Sequence, residues 1–267
     1  MSRERMTTKM TFLSDENKYS FSKVNSFYNC PYSYYRKYFE HEQGIGNETA
    51  NFGSFVHLIL EKYSKGELKI EELLPFYTEN YDKYVGGKII LNFSGFKKDL
   101  SKNYYQDGYN YFLNFQGFEG YKLLEAEKYY IQQVPSTDIY FNGQIDLILE
   151  DEHNNIILCD HKSKKKFYTK KEQEEYTRQL YLYSRYVVQT YKRFPSKLIF
   201  NMSRSEGFVV EDFNMTKYLE AWRWFLKCVN EIGDEIEFNA IKDSFYCLNF
   251  CGYRKKRDCF CEQGTKG

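Results

Sequence analysis

The chain has 267 residues and a formal net charge of +1, so it is long enough to bury a sizeable core and is no polycation. Any nucleic-acid site must then be a local basic groove, because a uniform positive field is excluded. Aromatic residues make up 19% of the chain, with 27 Tyr and 23 Phe, an excess that fits an AT-rich genome and equally fits side chains that stack on bases. No apolar run approaches the ~18 residues of a membrane span, and Met1 to Lys18 lacks a signal-peptide core. The expectation is a cytoplasmic protein of a bacterial or phage-infected cell, with no membrane partner.

In chain order, a polar tail over 1–19 precedes a helix expected over Lys23–Phe39, with Ser20 or Ser22 as its cap. Its stripe Tyr28, Tyr32, Tyr35 and Phe39 has helical spacing and is expected in the core. A glycine-containing loop at His41–Asn47 leads to a second helix over about Asn51–Tyr63. Helical stretches follow over about Ile70–Tyr84 and Lys97–Phe115, separated by Gly86–Gly87.

The pattern changes at Tyr121. Leu123–Gln132 and Ile139–Glu150 read as strands joined by the turn Pro135–Asp138, and a polar turn at Asp151–Asn155 leads to the apolar strand Ile156–Lys162. After a lysine-rich loop come a long helix (Lys171–Arg193), two strands (Lys197–Arg204 and Gly207–Phe213), a helix (Thr216–Ile232) and a cysteine-rich tail. The class is α+β with a small mixed sheet.

Hydrolysis of a phosphodiester by metal ions needs acidic ligands converging from adjacent strands and a cationic group beside the attacking water. Asp146 ends Gly143-Gln144-Ile145-Asp146 on one strand, and Asp160-His161-Lys162 ends the next. Residues i and i+2 of a strand share a face, so Asp160 and Lys162 project together. The short turn between the strands makes them an antiparallel hairpin that brings Asp146 alongside Asp160. Two carboxylates so placed suit Mg²⁺, which takes oxygen ligands. Acid-x-Lys alone is uninformative in a chain that is 28% charged, and it recurs at Glu67-Leu68-Lys69. The surroundings are more specific. Gln179 and Tyr183 lie at i,i+4 on the following helix, and Gly53-Ser54-Phe55-Val56-His57 places a histidine on an early one.

Gly-x-x-x-His, Gly-x-x-Asp, Asp-x-Lys and Gln-x-x-x-Tyr, in that order, resemble the motifs of RecB-type nuclease domains of the PD-(D/E)XK superfamily. The same set occurs in CRISPR-adaptation exonucleases and in the AddB nuclease domain. The resemblance spans about Ser20–Cys261. It implies a restriction-endonuclease-like core, a small mixed central sheet flanked by helices, with N-terminal helices and the cysteine-rich tail appended. It also implies Mg²⁺ or Mn²⁺ held by His57, Asp146, Asp160 and the backbone carbonyl of His161. Lys162 becomes the catalytic lysine, Gln179 and Tyr183 contact the site or the DNA, and Glu127 on the preceding strand is a weaker candidate.

Of seven cysteines, Cys247, Cys251, Cys259 and Cys261 crowd into fifteen residues, which in a reducing compartment suggests metal ligation. Thiolates suit an iron–sulfur cluster or Zn²⁺. One distant N-terminal Cys30 with a C-terminal trio resembles the iron–sulfur staple of the same nucleases, which implies a [4Fe–4S] cluster on Cys30, Cys247, Cys251 and either Cys259 or Cys261. The spacing is looser than the usual one, so the fourth ligand stays open. Cys159 and Cys228 sit in apolar stretches and are expected in the core. Lys164, Lys165 and Lys166 abut the site and are expected to meet phosphates; Arg254-Lys255-Lys256-Arg257 forms a second basic run.

The implied layout is a flexible tail (1–19) and one nuclease domain (20–267), comprising a helical part (20–120), a catalytic core (121–213) and a helix with the cysteine cluster (214–267). The implied function is a metal-dependent exonuclease acting on DNA ends, with recombination or replication proteins as partners. A structure-specific endonuclease and a non-catalytic DNA-binding subunit are the alternatives.

Overall fold

The computed structural model describes residues 17–253 apart from 94, 206, 242 and 243. Cys259, Cys261 and the basic run Arg254–Arg257 lie outside the described residues.

The first expected helix is two. Helix α1 (Phe21–Asn29) is capped by Ser20, whose hydroxyl accepts from the Lys23 amide at 3.1 Å. Pro31 then opens α2 (Pro31–Tyr38) at its first position. Proline drives the residue before it out of the helical region, and Cys30 has φ −164°. Cys30 therefore stands at a joint between helices. The break also redistributes the aromatic stripe: Tyr32 and Tyr34 are buried, whereas Tyr28 and Phe39 are exposed, Tyr28 lying edge-on to Trp224.

Helix α3 (Glu48–Ser64) is capped by Asn47 and buries Phe52, Phe55, Val56, Ile59 and Leu60, one apolar stripe at helical spacing. That stripe packs with α4 (Ile70–Val85) and α5 (Ser101–Asn114) into an aromatic-rich core of its own. The helix expected over Lys97–Phe115 starts later. Strands β2 (Ile90–Phe93) and β3 (Phe96–Asp99) form an antiparallel hairpin first, turning at Gly95 with φ +86°, a conformation open to glycine.

The main sheet of the described residues contains β1 (Lys18–Ser20), β4 (Lys122–Gln133), β5 (Tyr140–Glu150), β6 (Ile156–Lys162), β7 (Lys197–Met202) and β8 (Gly207–Asp212). It is mixed: β1 with β5 and β6 with β7 are parallel, the other pairs antiparallel. Strand β1 lies where the sequence suggested a tail. Helices α6 (Lys170–Tyr191) and α7 (Met215–Asp234) cover one face and bury Leu180, Leu182, Val187, Phe225 and Val229 against Ile148, Leu158 and Phe200. Cys159 and Cys228 are buried. The short helix α8 (Ser244–Asn249) carries Cys247. Sheet and flanking helices make the restriction-endonuclease-like α+β architecture that the sequence implied. No helix among the described residues is long and apolar enough to cross a membrane.

Candidate active site

Strand β5 is paired by β4 on one edge everywhere except at Asp146, which has no partner there. On its other edge β1 pairs with Tyr140–Asn142 and β6 with Leu147–Glu150, so residues 143–146 have neither neighbour. The sheet splits there, and Asp146 is the last residue before the β5–β6 ladder resumes at Leu147 and Cys159. Continuing that register sets Asp146 opposite Asp160. The next bond of the ladder is made by a side chain: the His161 amide donates to Asp146 Oδ2 at 2.7 Å.

Two glycines allow the surrounding elements to close in. A methyl group on Gly143 would lie 2.5 Å from Tyr183 Cε1 and 3.1 Å from Tyr130 Cε1, both rings buried. One on Gly53 would lie 2.8 Å from Ser163 Oγ, so α3 docks against the end of β6 through a bare backbone. That docking brings His57 Nδ1 to 3.8 Å from Asp146 Oδ2 despite the intervening helices and hairpin.

Lys162 Nζ lies 2.6 Å from Asp160 Oδ2 and donates to Gln179 Oε1 at 3.2 Å, and Gln179 Nε2 donates to the Tyr183 hydroxyl at 2.8 Å. The contact to Asp160 is an ion pair, and Asp160 Oδ2 is buried with no other polar partner among the described residues. Burial works against the charged lysine, but Asp160 and then Asp146 outweigh it and hold its pKa above the ordinary value. Burial pushes the Asp160 carboxyl up, opposed by Lys162 and reinforced by Asp146.

The His161 ring points away from this pair. It is buried beside Phe118, and Asn201 Nδ2 lies 3.0 Å from its Nδ1 and 2.7 Å from the Tyr111 hydroxyl. Burial, then His57, lowers its pKa to about 3. A neutral ring whose Nδ1 accepts from the amide carries its proton on Nε2.

A cavity of about 800 Å³ opens above the split, lined by His57, Glu61, Glu127, Gln144, Asp146 and Ser163 among others. Glu127 accepts from Gln144 Nε2 at 2.5 Å, and its φ of +49° is a left-handed conformation that costs a non-glycine residue about 1–3 kcal/mol. Burial, then Asp146, raises its carboxyl. Two neighbours escaped the sequence reading, though helical spacing carried a signal for both. Glu61 is four residues after His57 on α3. Tyr176, whose ring lies 5.3 Å from Lys162 Nζ, is three before Gln179 on α6.

The oxygen-rich donor set suits a hard divalent ion. Among the described residues, however, no three His, Cys, Asp or Glu side chains stand together as a ready-made metal site. His57, Asp146 and Asp160 converge without closing a ligand sphere. Of the basic loop, Lys164 is paired with Glu172 at 2.8 Å and Lys165 with Asp107 at 2.9 Å, while Lys166 lies over the Tyr168 ring at 5.4 Å.

A separate cavity of about 560 Å³ is lined by Cys30, Cys247 and Cys251, with Tyr28, Tyr246 and Tyr253. Lys171 and Glu175 of α6 line it too. Lys171, Glu175, Gln179 and Tyr183 recur every four residues, so one face of α6 runs from the cysteine cavity to Lys162, about 6 Å per step.

No curated protein matches this chain. Among solved structures it is similar to a crystal structure provisionally named an exonuclease, from Eubacterium rectale (12% identity, 84% of each chain covered, TM-score 0.48). It is also similar to SSO0001 (10% identity, 94% of this chain and 90% of that chain covered, TM-score 0.38). The family model of the PD-(D/E)XK nuclease superfamily matches residues 18–255, and the chain belongs to that superfamily.

Proposed function

We propose that this nuclease is a divalent-metal-dependent DNA exonuclease of the RecB type, acting on DNA ends in recombination, repair or replication. The observation that carries the reading is the open edge at residues 143–146 of β5, where the β5–β6 register continued past Leu147 and Cys159 brings Asp146 opposite Asp160, with Lys162 2.6 Å from Asp160. His57, Asp146, Asp160 and the carbonyl of His161 would hold Mg²⁺ or Mn²⁺; when bound, the ion lowers the pKa of water and offsets charge on phosphate. Against burial, which lowers it, Asp160 and Asp146 raise the Lys162 pKa and favour the charged form. Lys162 orients water and counters charge that builds on the scissile phosphate. Gln179, braced by Tyr183, fixes the lysine. Glu127 adds a carboxylate to the same cavity.

Cys30, Cys247 and Cys251 are the proposed thiolate ligands of an iron–sulfur cluster, with Cys259 or Cys261 as the fourth. The support is that the joint at Cys30 and the tail line one cavity. Iron and sulfide analysis of anaerobically purified protein should give about four of each. One Zn²⁺ would overturn the cluster but keep the staple, and free thiols without metal would overturn both.

The deciding assay uses end-labelled linear DNA and covalently closed circular DNA, with Mg²⁺, Mn²⁺ or EDTA. Metal should support degradation of linear DNA from its ends, EDTA should abolish it, and circles should survive. Cutting of circles would establish an endonuclease, and intact DNA with either metal would refute the catalytic reading.

A further inference from the structure

The β2–β3 hairpin contributes little to the fold beyond its anchor. Leu91 is buried, while all four residues of β3 are exposed. Its base is nonetheless held firmly. The Asn92 amide donates to Asn249 Oδ1 at 2.6 Å, and Asn249 Nδ2 donates back to the Asn92 carbonyl at 2.9 Å. The side-chain amide of α8 thus serves the edge of β2 as another strand would.

On that base the aromatic rings form a column in which only the outer pair is stacked: Phe245 meets Phe93 tilted, at 5.5 Å and 42°, and Phe93 stacks on Phe96 at 5.3 Å and 17°. Phe96 ends the column and is 59% exposed. Lys97 and Lys98 follow Phe96 on β3 and Lys88 precedes the hairpin, all three exposed, with Lys88 4.0 Å from Asp99. The hairpin also springs from the rim of the catalytic cavity. Tyr84 and Thr49 line that cavity, Asn51 Nδ2 donates to the Val85 carbonyl at 3.2 Å, and Gly87 packs on Glu48 at the start of α3.

We infer that this hairpin is a base-stacking platform for single-stranded DNA entering the catalytic cavity, with a base continuing the column on the open face of Phe96; this rests on the nuclease reading above. The lysines select the occupant. A second copy of the hairpin, or the chain's own Arg254–Arg257 run, would set lysine against basic residues. A polyanion is attracted by the same charges. Bases in a duplex are stacked on one another, so a ring at the end of a column is met by a strand whose bases are free.

The test is binding without cleavage. In EDTA, wild type, Phe96→Ala and Phe96→Tyr are titrated against a fluorescent single-stranded oligonucleotide and an abasic one of equal length. Phe96→Ala should weaken binding of the normal oligonucleotide about five- to a hundredfold, leave the abasic one unchanged, and be rescued by Phe96→Tyr. Equal losses on both oligonucleotides would make the contact one to the backbone and overturn the proposal. Unchanged binding of both, with an altered oligomeric state by light scattering, would assign the face to a second copy and also overturn it. Neither outcome depends on whether the chain cleaves, so the catalytic reading stands or falls separately.

Discussion

Replacing Lys162 with methionine keeps the length of the side chain and removes its charge, leaving Asp160 buried at 3% exposure beside Asp146. At the 2.6 Å seen for the ion pair and an effective dielectric constant near 20, the lost attraction is on the order of 6 kcal/mol. Part of that attraction only offsets the burial of the two charges, so truncating one partner should cost about 3–5 kcal/mol at neutral pH. For a chain of this size that corresponds to a fall in Tm of roughly 6–20 °C. The loss should shrink on acidification. Without the lysine the Asp160 carboxyl titrates higher still, and protonating it removes the uncompensated charge, so the Tm gap narrows as pH falls through that pKa. Melting curves of both proteins across the pH range in EDTA measure this directly. A Lys162→Met protein that melts with wild type at pH 7, or whose deficit grows in acid, would show that the two groups are not a buried pair.

Gly143→Ala should destabilise by about 1–3 kcal/mol through overlap with the Tyr183 and Tyr130 rings and lower kcat by displacing Gln179, whereas Gly53→Ala meets only a hydroxyl that can rotate and should cost less; thermal melts and steady-state rates separate the two. His161 is held neutral when folded and takes up a proton near pH 6.5 when unfolded, so wild-type stability should fall as pH drops from about 6.5 towards 3, by about 2 kcal/mol at pH 5. His161→Phe should flatten that slope in denaturant titrations at pH 7 and pH 5. Cys247→Ala should speed amide exchange in the first two turns of α6, where Lys171 and Glu175 line the cysteine cavity, and leave the core turns from Leu180 onward protected; unchanged exchange at Lys171–Glu175 would show that the cavity does not brace the helix.

What was legible in the sequence is what depends on local pattern. Alternation, turn residues and the Asp-x-Lys spacing located β4 to β8, and helical spacing set Gln179 above Tyr183. Proline chemistry also lay in plain view at Cys30-Pro31, but a continuous stripe of Tyr28, Tyr32 and Tyr35 argued for one helix, and the backbone rule outweighed the stripe. The hairpin at Ile90–Asp99 was hidden for a related reason. Its exposed strand Phe96-Lys97-Lys98-Asp99 has no buried face, so periodicity, which reports burial, had nothing to report. The split sheet was beyond reach altogether. It exists because three residues of β1 take the edge of β5 at Tyr140–Asn142 while β6 takes it at Leu147, a competition between segments more than a hundred residues apart. The motif names Asp146 and Asp160, but this long-range pairing leaves Asp146 at the end of an unpaired edge, with its carboxylate bonded to a strand amide and still open to the cavity. Lengthening β1 by a few paired residues would close that edge and give residues 143–146 ladder partners. The geometry of the proposed site therefore depends on where a short N-terminal strand stops as much as on the acidic residues themselves.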